Sequence, residues 1–159
     1  MDLTAGSYYP NKTDLLHYHY VIDVDGKIHQ GVYSVNDNEN CADGVYAAHT
    51  GGGNTGSIGI SFCGMYGYKG RQNVGNYPLT QRQCEAGFKL GAELAKKYNL
   101  NLSNKDTIQT HYGFGKRNPK TASAGKIDIN FLPHAAYLQA DEIEDFIRNK
   151  VKWYYSHTQ

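Results

Sequence analysis

Apolar positions fall into short alternating runs through the first third of the chain and into two long helical stripes further on. Residues 17–32, HYHYVIDVDGKIHQGV, alternate around Asp25-Gly26. That pattern predicts a β-hairpin with strands over 17–24 and 27–32. The period of two would set Tyr18 and Tyr20 on one side of the first strand and His17 and His19 on the other. Residues 1–14 are full of turn formers and read as loop. Residues 35–45, VNDNENCADGV, read as a polar connection. The glycine-rich AAHTGGGNTG runs into SIGISFCGMY, which predicts a short apolar strand. Thr80 and Gln83 form a capping-box signature ahead of small or apolar residues at 84, 87, 88, 91, 94, 95 and 98, so a helix should run to Tyr98. DTIQTHY reads as a buried strand ending at His111. Ile143, Phe146, Ile147, Val151 and Tyr154 share one face of a final helix over 139–154. Strands interleaved with long helices, without repeats or an internal linker, predict one α/β domain over 1–159, a central mixed β-sheet flanked by α-helices.

Composition narrows the function classes. The 159 residues are 40% hydrophobic and 19% charged, enough for one globular core. A net charge of +1 offers no basic field, so no nucleic-acid partner is expected. No run approaches the ~20 apolar residues of a membrane span. No signal-peptide pattern opens the chain. Cys41, Cys63 and Cys84 are odd in number and irregular in spacing, which suggests free thiols in a reducing compartment. The 14 tyrosines and 18 glycines suggest a groove that stacks and hydrogen-bonds a polar ligand, such as a sugar or peptide.

Candidate chemistry concentrates in residues 110–133, THYGFGKRNPKTASAGKIDINFLP. His111, at the expected C-terminal end of a strand, would face a cleft. Lys126 and Asp128, two residues apart on an extended segment, would point the same way. A carboxylate and an imidazole can bind zinc, and an ammonium beside them can stabilise an oxyanion. The plain alternatives are a structural histidine and a surface Lys-Asp pair. His49 precedes TGGGNTG, whose glycines would allow close backbone approach to a ligand, with Asn54 available to hydrogen-bond it; a plain flexible loop is the competing reading.

Together, LTAG, HYHYVIDVDGKIHQGV, AAHTGGGNTGSIGISF and THYGF…GKIDINFLP resemble, in order, the motifs of the zinc-dependent N-acetylmuramoyl-L-alanine amidases, the amidase-2 group related to peptidoglycan recognition proteins. The likeness extends over about residues 2–133 and is strongest to short endolysins of phages and prophages. It implies a zinc-floored cleft on a mixed sheet. It also implies hydrolysis of the amide between N-acetylmuramic acid and the L-Ala of the stem peptide. His111 and Asp128 match zinc ligands, Lys126 the catalytic lysine of the phage branch, and Tyr18 the tyrosine at the reacting centre. His49 and Asn54 match a substrate-contact loop, and His19 a structural position. The expected partner is peptidoglycan, with no membrane and a monomeric state. The protein would be made in the host cytoplasm and act on the wall after release.

One motif departs from the family. Its first zinc ligand is a histidine at the end of a buried strand, in His-x-Ser/Thr-Ala. Here the matching residues are Asp2-Leu3-Thr4-Ala5, and the strand ahead of them is missing. Either Asp2 replaces the histidine or the terminus is altered. An Asp-His-Asp set still offers acceptable ligands, although two carboxylates would weaken zinc as a Lewis acid. The same departure keeps a non-catalytic peptidoglycan-binding module as the alternative.

Overall fold

A computed structural model describes residues 1–157. Four short strands form one mixed sheet: β1 (Asp2–Leu3), β2 (Tyr20–Ile22), β3 (Ile28–Gln30) and β4 (Ile60–Phe62), in the order β1-β4-β2-β3. The pairs β1–β4 and β4–β2 are parallel, and β2–β3 is the antiparallel hairpin expected around Asp25-Gly26. Gly26 takes φ +84°, and Asp23 Oδ1 receives the main-chain N–H groups of Asp25 and Lys27, which closes the turn.

The register decides which side chains meet. Asp2, Ser61 and Val21 lie side by side across three strands, as do Leu3, Phe62 and Ile22. Because successive side chains point to opposite faces, the second row joins the main core and the first faces the other way. Helix α2 (Gln81–Lys97) covers the core face. Its Thr80–Gln83 capping box forms as expected, and Cys84, Gly87, Phe88, Gly91, Leu94 and Ala95 are buried. A Cβ at Gly87 would stand 2.3 Å from the Phe62 ring, so glycine sets how closely helix and sheet approach. Helix α4 (Ile143–His157) packs outside α2 through Ile143, Ile147 and Val151.

Several sequence expectations are corrected. Residues 1–14 are not loop throughout: Asp2 and Leu3 form β1, and α1 (Lys12–His17) begins before Asp14. The cause of α1 is a capping box between Asn11 and Asp14, hidden among what looked like turn formers. The first hairpin strand therefore starts at Tyr20, and His17 lies in a helix instead of opposite Tyr18. The polar connection contains a 3-10 turn, Val35–Glu39. DTIQTHY is not a strand ending at His111, because Thr110 caps a helix, α3 (His111–Arg117). One trace of strand character survives there: the Met1 nitrogen donates to Gln109 O and His111 N–H donates to Met1 O, the pattern of parallel neighbours. Residues 126–128 lie in a loop and not on a strand, so the period-two argument for Lys126 and Asp128 does not apply.

Candidate metal centre

The sheet and α3 converge on three side chains. Asp2 is 1% exposed and projects from the non-core face of β1. His111 is the first residue of α3, and its position is fixed from two sides. Thr110 caps the helix by accepting Gly113 N–H at 3.0 Å, while Glu144 of α4 accepts the Thr110 N–H at 3.0 Å. Asp128 arrives on the loop after α3, held by Leu3 N–H to its Oδ2 at 3.1 Å and by Tyr112 N–H to its carbonyl. His111 Nδ1 then stands 2.9 Å from Asp2 Oδ1 and 3.5 Å from Asp128 Oδ2. One ligand atom from each residue lies within 4.8 Å of the other two.

The electrostatics are those of a cation site. Burial pushes the Asp2 carboxyl up from the ordinary range. Burial alone would lower the His111 pKa, but the Asp128 and Asp2 carboxylates outweigh it and push the imidazole up to about 9. Burial opposes ionisation of Asp128 as well, and its bonds to His111 and Leu3 N–H still hold it below its usual range. Both Asp2 oxygens are buried and make no well-formed hydrogen bond among the described residues, their polar neighbour being the His111 ring at 2.9 Å. Ser61 Oγ, beside Asp2 in register, is also buried, with Tyr18 as its polar neighbour. Buried carboxylate oxygens without partners are costly. A divalent cation bound by two carboxylates and one imidazole would satisfy them and neutralise their charge, and this donor set suits zinc.

Tyr18 borders the same centre. Its hydroxyl donates to Leu3 O at 3.3 Å. Burial, with the nearby Asp2 and Asp128 carboxylates, raises its pKa, so it remains a proton donor. Lys126 is exposed, and its ammonium has no partner among the described residues; its main-chain N–H closes a turn onto Ser123 O.

The glycine loop is used differently from the sequence expectation. Added Cβ atoms at Gly51, Gly52 and Gly53 would collide with Ala122, Thr121 and Phe114 at 2.5–2.7 Å. The close approach these glycines permit is therefore to α3 and the loop after it. Asn54 Oδ1 accepts the N–H groups of His49 and Thr50 at 2.9 and 2.8 Å, which shapes the loop from within. His49 contacts Thr50 Oγ1 and Ser57 Oγ through its two ring nitrogens, and burial lowers its pKa to about 3. His19 links Gly59 N–H to Asn38 Oδ1, a structural bridge between β2 and its neighbours.

Ser123 went unnoticed in the sequence. It is fully buried and joins the glycine loop to the centre, with Oγ 2.9 Å from His111 Nε2 and 2.7 Å from Gly51 O. A serine in TASAG has no local signal of this role, since its partners lie 12 and 72 residues away. Glu144 was likewise legible only as a polar residue on the last helix.

The sequence model of the Amidase_2 family, described as N-acetylmuramoyl-L-alanine amidase, matches residues 2–128. The match spans β1 to the third residue of the centre. Comparison with curated proteins and with solved structures gives no match.

Proposed function

Because the chain belongs to the N-acetylmuramoyl-L-alanine amidase family, a group of peptidoglycan amidases, we propose that it hydrolyses the amide between the lactyl group of N-acetylmuramic acid and the L-Ala of the stem peptide, with zinc held by Asp2, His111 and Asp128. The observation that carries this reading is the buried Asp2 carboxylate, set against His111 and Asp128 with one ligand atom of each within 4.8 Å of the others. Zinc bound there would supply Lewis acidity and lower the pKa of water at the site.

The protein's own groups account for the rest. Asp2 and Asp128 compensate charge, and the fixed imidazole of His111 completes the donor set. Tyr18, kept protonated, can donate to the oxygen that gains charge as the amide carbonyl is attacked. Lys126, exposed on the flanking loop, would serve as a second oxyanion donor, its ammonium free to reach a substrate. The loop carrying His49 and Asn54 is the candidate substrate wall, tied to the centre through Gly51 and Ser123. The leaving L-Ala nitrogen departs as an amine. The likeness to short endolysins supports a role in bacterial wall lysis, with release to the wall from the cytoplasm. No helix among the described residues is long and apolar enough to cross a membrane.

Elemental analysis of the purified protein, alongside release of stem peptide from purified sacculi, tests this. His111→Ala should lose both zinc and activity while keeping its circular dichroism spectrum. Full zinc content and full turnover in that variant would remove the proposal.

A further inference from the structure

Ser123 has one hydroxyl proton and two neighbours. Gly51 O, at 2.7 Å, can only accept. Among the described residues no other donor is recorded on that carbonyl, so the hydroxyl proton belongs there. The Ser123 oxygen then meets His111 Nε2, at 2.9 Å, with its lone pairs. Only a protonated Nε2 makes that contact favourable. The opposite arrangement would turn the hydroxyl towards Nε2 and leave the buried serine oxygen facing the Gly51 carbonyl, two acceptors in contact. Nδ1 is the other ring nitrogen, and it points at Asp2 and Asp128.

We propose that Ser123 is a positioning residue that sets the tautomer of His111, holding the proton on Nε2 so that Nδ1 is the nitrogen presented to a metal. The inference rests on the metal reading above and adds to it which atom binds and what fixes that choice. It also explains why a serine is fully buried beside the centre. The Gly51 carbonyl is the far end of the relay, so the glycine loop takes part in orienting the ligand. That loop can approach Ser123 because Gly51 has no side chain: a Cβ there would stand 2.7 Å from Ala122 Cβ. Partners of this outer kind orient a ligating histidine and typically change metal affinity by about 10–100-fold when removed.

Two measurements test the assignment. In zinc-loaded protein labelled with 15N-histidine, long-range 1H–15N spectra should show His111 with its proton on Nε2 and none on Nδ1. Zinc titration against a chromophoric chelator should then show Ser123→Ala weakened by about 10–100-fold. Ser123→Thr, which keeps the hydroxyl, should recover most of that loss. A wild-type spectrum with the proton on Nδ1 would overturn the proposal, as would unchanged zinc affinity in a folded Ser123→Ala variant. A serine that merely pins the loop would lower the melting temperature of Ser123→Ala without altering the tautomer, and that outcome also counts against it. If Ser123→Ala fails to fold, the wild-type spectrum decides. If the wild-type protein binds no zinc, the metal reading fails and this proposal with it, whereas zinc bound with the proton on Nδ1 overturns this proposal alone.

Discussion

At the residue scale the candidate centre turns on Asp2, which stands where the sequence resemblance implies a histidine. A carboxyl there is buried beside the His111 imidazole, and burial opposes its ionisation unless a cation compensates the charge. Asp2→Ala should therefore lower zinc affinity at least as much as loss of an outer partner does, about 10–100-fold. Asp2→His should raise turnover, because a neutral ligand leaves more positive charge on the metal. Comparable zinc affinity in the wild type and Asp2→Ala, measured by competition titration, would show that Asp2 is not a ligand. Lys126 makes a contrasting prediction. It is exposed and unpaired among the described residues, so Lys126→Ala should leave zinc content and stability unchanged. Turnover on sacculi should fall by about 10²–10³-fold, the scale of one lost oxyanion donor. Zinc lost in step with activity would instead make Lys126 structural.

At the element scale, short capped segments are what deliver the candidate ligands. The Asn11–Asp14 box starts α1, which ends with Tyr18 N–H on Asp14 O and so sets the tyrosine at the base of the site. Thr110 starts α3 at His111, and Glu144, itself bound by Arg117 and Arg148, clamps the Thr110 N–H from α4. The core spacing depends on Gly87. Gly87→Ala would gain helix propensity but drive a methyl to 2.3 Å from the Phe62 ring and 2.8 Å from Ile22 Cδ1. Overpacking should win, destabilising the fold by about 1–3 kcal/mol in urea unfolding. A variant as stable as the wild type would show that α2 can shift away from the sheet at little cost.

For the whole molecule, two buried histidines link the fold to pH. The His49 and His19 rings lie 5.8 Å apart, and burial lowers both pKa values, that of His49 to about 3. The unfolded chain takes up these protons near 6.5, before the folded one does. Their contribution to stability is therefore fully present above pH 6.5 and is lost as pH falls from there towards 3. In metal-free protein His111 acts in the opposite sense: its raised pKa stabilises the fold below 6.5 and is lost as pH rises through about 9. Urea midpoints should consequently fall from pH 6.5 down to the carboxylate range, with a shallower slope in His49→Gln. A flat profile across that window would mean that the buried histidines are protonated without penalty.

The sequence by itself determined the elements whose causes are local. The Asp25-Gly26 hairpin, the Thr80–Gln83 start of α2 and the apolar stripe of α4 are written in spacings of two to four residues, and they formed as read. The order of motifs also carried the family. Local pattern failed where a neighbour distant in sequence chose the conformation. DTIQTHY is β-rich, yet Glu144, 34 residues beyond Thr110, stabilises a helix start there. The glycines of residues 51–53 suggested room for a ligand, but the space they leave is taken by α3 and the loop after it. His111 and Asp128 were legible as ligand types, and Asp2 as a misfit at a ligand position. Only the parallel register of β1 on β4 turned Asp2 away from the core row and brought it to 2.9 Å from an imidazole 109 residues on. Ser123 was not legible at all, because a hydroxyl acquires its role from the two groups that tertiary structure sets against it, and neither is a neighbour in sequence.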